Sequence, residues 1–144
     1  MRYTFLSSKF YNDYPHDKYP QMELKDNRPY AHVTIEAYNQ LFCLPLRSSI
    51  DHPHAYFTNK KLRCGVDYSK AVVITDELYI DNDTKVFLRP DEFKKLKGKD
   101  YKIKQQFEAY IELYKQAKVD ETVPHRDKIL QFSTLQYFEE YIYK

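Results

Sequence analysis

The chain has 144 residues, 42% of them hydrophobic and 31% charged, with a formal net charge of +2. That is the composition of one globular domain, able to bury a core without metal or disulfide staples. It excludes much else. With only Gly65 and Gly98, neither GxGxxG nor GxxxxGK[ST] can be written, so no nucleotide cofactor is expected. Cys43 and Cys64 are too few for a disulfide framework, no apolar run reaches membrane-spanning length, and +2 does not by itself demand a nucleic-acid partner. Arg2 is followed by a short strand-like run and then charge, with no signal-peptide pattern, so the expected compartment is the cytoplasm and no membrane partner is expected.

In chain order, Tyr3 to Leu6 is a short strand, and Ser7 or Ser8 caps a brief helix through Tyr14. Residues 15–29 are polar and carry three prolines, so they form a loop. His32, Thr34 and Glu36 alternate with Val33, Ile35 and Ala37, the period of a half-buried strand. Asn39-Gln40 are placed to turn the chain. Leu41 to Leu46 return as a central strand, apolar on both faces, with Cys43 inward and Pro45 marking an end, a bulge or an edge.

Residues 47–64 form a polar connection with a short strand at Ala55 to Thr58. Val72 to Thr75 is a buried strand, and Leu78 to Ile80 with Lys85 to Leu88 suggest a hairpin about Asp81-Asn82-Asp83. Pro90 opens a helix to Leu96, which Gly98 stops. Ile103, Phe107, Tyr110, Ile111 and Tyr114 form one stripe of a long helix. A last helix is capped by Ser133 and turns Leu135, Phe138, Tyr141 and Ile142 inward. Strands first and helices later, with no repeat or second domain, predict a single α+β domain spanning 1–144, built on a mainly antiparallel sheet.

The chemistry concentrates in Arg47-Ser48-Ser49-Ile50-Asp51-His52-Pro53-His54. A guanidinium, two hydroxyls, a carboxylate and two imidazoles are not what packing asks for. They are what a phosphate-handling site uses: donors for phosphoryl oxygens and groups that move protons near neutral pH. The bland alternative is a solvated strand end with surface histidines. His52 and His54 with Cys64 make a poor zinc set, since Cys64 lacks a companion at CxxC spacing and a fourth ligand is not evident, so no metal is expected. Lys70 precedes a buried strand, where a gatekeeper charge is also common. Between 94 and 104 stand six lysines against Asp100, a local charge of +5 that suits a phosphate backbone or a solvated helix face. Fifteen tyrosines and nine phenylalanines suit a core that opens onto a wet interface, or a stacking surface.

The opening Tyr3-Thr4-Phe5-Leu6-Ser7-Ser8-Lys9-Phe10, then Pro45-Leu46-Arg47-Ser48, Gly65-Val66-Asp67-Tyr68-Ser69-Lys70 and Phe132-Ser133-Thr134-Leu135 resemble the ToxN/AbiQ family of endoribonuclease toxins of type III toxin–antitoxin systems. The Arg-Ser-Ser-Ile and His-x-His features are closest to its CptN and TenpN branches. The resemblance spans nearly the whole chain. It implies a strongly twisted, mainly antiparallel sheet flanked by helices, similar to the Kid/MazF toxins. It also implies metal-free RNA cleavage in the bacterial cytoplasm and inhibition by a small structured repeat RNA in a closed protein–RNA assembly. The output would be growth arrest, often in phage defence.

ToxN-like members carry Thr at the position of Arg47 and Lys at that of Ile50, so the cationic role would pass to Arg47, Lys70 or a histidine. The expected catalytic set is Ser48, Arg47, Lys70, His52 and His54. The expected RNA contacts are Arg28, Tyr30, Lys9, Ser49, Lys60, Lys61, Lys94, Lys95, Lys97, Lys99 and Lys102. The rival readings are a non-catalytic module for structured RNA and a protein that uses exposed tyrosines at a protein interface.

Overall fold

The computed structural model describes residues 1–22 and 30–143, so Arg28 and the end of the 15–29 loop lie outside the described residues. Among them the fold is α+β, with seven strands in one antiparallel sheet. Its axis is β3 (Gln40–Arg47), whose residues Phe42 to Leu46 are all buried. Alternate side chains of a strand face opposite ways. Phe42 meets Phe107 of the long helix α3 (Asp100–Val119) at 4.9 Å between ring centroids. Cys43, one step along, faces the other layer, where Tyr11 of α1 (Ser8–Asp13) approaches it. Covering both faces explains why this strand is apolar throughout.

β1 (Tyr3–Leu6) pairs with β2 (Ala31–Ala37), and β2 pairs with β3. The other side of β3 is shared. Phe42 and Cys43 pair with β6 (Val72–Val73), while Leu46 and Arg47 pair with β5 (Cys64–Asp67). Pro45, which has no backbone donor, stands in the gap between those two pairings, where no ladder bond is forfeited. β4 (Ala55–Asn59) lies outside β5, and β7 (Ile80–Asp81) lies outside β1, giving the order β4-β5-β3-β2-β1-β7. Helix α2 (Pro90–Leu96) starts at its expected proline, and Gly98 beyond it has φ +76°. The apolar stripe of α3 is buried as expected.

Several local expectations fail for identifiable reasons. The β2–β3 turn is Tyr38-Asn39, not Asn39-Gln40. Ala37 pairs with Gln40, and both turn residues have positive φ (54° and 59°), as a two-residue hairpin loop requires. The strand at 72–75 is only Val72–Val73. No hairpin forms about Asp81: β7 pairs with β1, and residues 85–88 stay outside the sheet with Phe87 84% exposed. The last helix is broken into a 3-10 turn (Thr134–Tyr137) and the four-residue α5 (Glu139–Ile142), although Ser133 does accept from the Leu135 N–H. Before it, α4 (Arg126–Phe132) was not expected. The tyrosines line the core more than the surface, since only Tyr101 and Tyr143 are exposed. No described helix is long and apolar enough to cross a membrane.

Candidate functional site

The site grows from the pairing of Arg47 on β3 with Gly65 on β5. Gly65 also lies against β4, where any Cβ would collide with the Tyr56 carbonyl and come within 2.8 Å of the Phe57 Cα. Only glycine lets the three strands close here. Two residues on, Asp67 ends β5 and caps the 3-10 turn Tyr68–Lys70, its Oδ1 accepting from the Ser69 N–H at 2.9 Å and the Ser69 hydroxyl at 2.7 Å. Its Oδ2 accepts from Arg47 Nη1.

His52 joins the same carboxylate from the loop that follows β3. Its Nε2 lies 3.2 Å from Asp67 Oδ1 and 3.1 Å from Ser69 Oγ. Its Nδ1 accepts the His54 backbone N–H at 3.0 Å. A backbone N–H can only donate, so the proton of His52 sits on Nε2 and points at Asp67 and Ser69. This is not a nucleophile–base–acid relay. A relay needs the hydroxyl and the carboxylate on opposite ring nitrogens; here both meet Nε2, and Ser69 is buried.

Arg47–Asp67–His52–Ser69 is therefore a buried polar frame. Burial alone would raise the Asp67 carboxyl; hydrogen bonds from His52 and Ser69 and the Arg47 charge outweigh it and hold the group below its ordinary value. Two residues expected to act on substrate, Arg47 and His52, are largely spent on this frame. Their side chains are 20% and 24% exposed.

His54 is placed differently. Its ring stacks on His52 (5.5 Å between centroids, 25° between planes) and leans on Tyr110 of α3 (5.3 Å, 50°). Its backbone carbonyl accepts from the Tyr68 N–H at 3.0 Å, fixing the main chain. No described residue hydrogen-bonds either ring nitrogen. Burial first, then the neighbouring His52 and His125, lower its affinity for a proton, with Asp67 opposing. The result is a half-buried imidazole that is neutral near pH 7 and has its lone pair available.

A positive charge in this loop that was not among the expected site residues is Arg63. Its Nε donates to the Ile50 carbonyl and its Nη2 to the His52 carbonyl, both at 2.8 Å, while the guanidinium stacks 4.3 Å from the Phe57 ring centroid. It is exposed and pairs with no carboxylate among the described residues. Across from it, the Ser49 and Ile50 N–H groups donate to the Leu62 and Arg63 carbonyls. Ser49 and Arg63 both hold positive φ (54° and 56°), a conformation that costs about 1–2 kcal/mol in a non-glycine residue. Ser48 and Ser49 are exposed beside this turn, as are Lys60 and Lys61 within it.

The remaining expected residues are dispersed. Lys70 Nζ donates to the Phe132 carbonyl at the end of α4 (2.8 Å) and to Gln21 (3.1 Å), so its visible work is to tie elements together. Lys9 pairs with Asp13 at 2.8 Å on α1, at the β1–β7 side of the sheet, away from Arg47. The Tyr30 carbonyl lies 2.8 Å from His32 Nδ1. Lys94, Lys95, Lys97, Lys99 and Lys102 are exposed on α2, its exit and the start of α3, whereas Lys104 borders a groove with residues 36–41 of the β2–β3 hairpin. Among the described residues no three His, Cys, Asp or Glu side chains gather as a metal would need. The Cys64 thiol is buried and turned to the Leu62 carbonyl at 3.8 Å, so the His52–His54–Cys64 set is not assembled.

Nothing in the local sequence marks Asp67, Ser69 or Arg63 as partners of the histidines; only the Asp-x-Ser turn chemistry at 67–69 is a visible cue. No protein-family model, no curated protein and no solved structure matches the chain.

Proposed function

We propose that the chain is a metal-independent endoribonuclease toxin of the type III kind, acting in the bacterial cytoplasm and held inactive by a small structured repeat RNA. The observation that carries the reading is His54. It is an imidazole with neither ring nitrogen hydrogen-bonded by a described residue, stacked on a second histidine whose own nitrogens are locked, in a loop that also carries exposed hydroxyls and an exposed arginine.

In this scheme RNA supplies its own nucleophile. The 2′-oxygen attacks the adjacent phosphorus while its proton passes to a ring nitrogen of His54. The new O–P bond forms as the P–O5′ bond breaks, and the departing 5′-oxygen takes a proton from water, whose hydroxide then takes the proton held by His54 and restores the neutral ring. The products are a 2′,3′-cyclic phosphate and a 5′-hydroxyl. Arg63, Ser48 and Ser49 are assigned to the phosphoryl oxygens, where donors aimed at developing charge act most strongly. Arg47, Asp67, His52 and Ser69 are positioning residues that fix the face on which His54 stacks.

Expression in bacteria without any partner RNA tests the reading. Wild type should arrest growth, and His54→Ala and Ser48→Ala should relieve the arrest at equal protein levels. A wild type that is harmless overturns it. RNA that shifts in a gel yet stays full length replaces it with a non-catalytic RNA-binding module.

A further inference from the structure

We infer that the seam between α3 and β4 is the track along which a single RNA strand reaches His54, with its entry marked by the lysines of α2 and the start of α3. This extends the nuclease reading to the shape of its substrate.

The seam is built from two matched stripes. On α3, Lys102, Gln106 and Tyr110 fall four residues apart and so share one face. Opposite them, Lys102 Nζ lies 5.9 Å from the ring centroid of Tyr56 on β4, Gln106 Oε1 accepts from Tyr68 at 2.8 Å, and Tyr110 leans on His54 at 5.3 Å. His54 and Tyr56 are two residues apart in extended chain, so they face the same side. The Tyr56 hydroxyl donates to the Lys95 carbonyl at 3.1 Å, which ties the end of α2 to the hydroxyl edge of the same ring. One end of the seam is therefore cationic and the other ends at the imidazole.

The cationic end carries an excess of positive charge over the two carboxylates, Asp91 and Glu92, in the first turn of α2. Lys94, Lys95, Lys97, Lys99 and Lys102 pair with no carboxylate among the described residues. Asp100, the acid among them, is taken by the amino terminus at 2.9 Å, and Glu92 lies 3.4 Å from the Thr58 hydroxyl. From Lys102 to Tyr110 the helix rises about 12 Å. At a stacked rise of roughly 3.4 Å that distance spans three to four phosphates. Tyr56 stands at the cationic end, opposite Lys102, and its half-buried ring is suited to an unpaired base. A half-buried imidazole between helix and strand admits one splayed strand better than an A-form duplex, whose phosphates ride on a rigid cylinder.

The test is fluorescence anisotropy with non-cleavable 2′-O-methyl oligonucleotides, read over a range of salt. Lys95→Gln/Lys99→Gln/Lys102→Gln should weaken binding at low salt by about tenfold or more and flatten the log K against log salt slope by roughly 2, at about 0.7 per phosphate lost. Lys104→Gln, on the other flank of α3, should change neither. Affinity should climb with length to about four nucleotides, and a duplex of the same sequence should bind more weakly. A triple variant with wild-type affinity and slope, or Lys104→Gln matching its loss, overturns the track. Duplex binding as tight as single-strand binding overturns the substrate shape. A protein that binds along these lysines but cuts nothing keeps the track and loses the chemistry. One that cuts RNA indifferently to them keeps the chemistry and loses the track.

Discussion

Replacing Asp67 by Asn isolates what the buried frame contributes. Asp67 is fully buried and accepts on both oxygens, from Arg47 on Oδ2 and from Ser69 on Oδ1. An amide cannot do this. With its NH₂ toward Arg47 a donor faces a donor, and flipping it turns the NH₂ onto the Ser69 N–H. The Arg47 guanidinium, mostly buried, also loses the Asp67 carboxylate. Breaking a buried pair from one side costs about 3–5 kcal/mol, and the lower end applies because Arg47 keeps a fifth of its side chain in water. A loss of about 3 kcal/mol corresponds to a drop in Tm near 10 °C for a domain of this size.

Urea unfolding at pH 7, followed by far-UV circular dichroism because the chain has no Trp, reads the difference. The pair Arg47→Met/Asp67→Asn, in which the amide oxygen can still accept from Ser69 and no guanidinium faces the NH₂, should lose less than Asp67→Asn alone. If Asp67→Asn falls within about 0.5 kcal/mol of wild type, as an ordinary surface change would, the frame is not what holds this corner.

Other outcomes follow from the same structure. Burial pushes His32 down to about 4, against donation to the Tyr30 carbonyl. The unfolded chain therefore takes up a proton below about pH 6.5 that the folded one refuses, and roughly 3 kcal/mol of stability should fade between pH 6.5 and 4. His32→Gln should flatten that slope in urea titrations at pH 7, 5.5 and 4.5, and parallel profiles would remove His32 as the cause. His54 must be neutral to accept a proton and its affinity is lowered, so the acid limb of kcat/KM should lie below the ordinary histidine value; a limb above it contradicts the assignment. Lys70→Met should cost about 1 kcal/mol, by freeing the end of α4, while leaving kcat within twofold of wild type, and a large loss of kcat at unchanged stability would return Lys70 to the chemistry.

What was legible in the sequence is what periodicity carries. The β2–β3 hairpin and α3 follow from spacing alone, because each buries a regular stripe along its length. β5 was missed because Cys-Gly-Val-Asp has neither alternation nor length; all four residues are buried, on account of neighbours far away in sequence. α4 was missed because only Ile129 in it is buried. Val86-Phe87-Leu88 has strand propensity but finds no partner, and propensity without pairing makes no strand. The roles of the polar run 47–54 divide in a way composition cannot reveal. Arg47 and His52 are drawn inward by Asp67, 20 and 15 residues away. His54, which nothing distinguishes locally from His52, keeps its ring free.

The most direct test of the central claim is end-group analysis of RNA incubated with purified wild type and His54→Ala in excess chelator. Wild type should leave 2′,3′-cyclic phosphate and 5′-hydroxyl ends, and His54→Ala should cut about 10²–10⁴-fold more slowly. Intact RNA with wild type, 5′-phosphate ends, or a His54→Ala variant that cuts at the wild-type rate would contradict it.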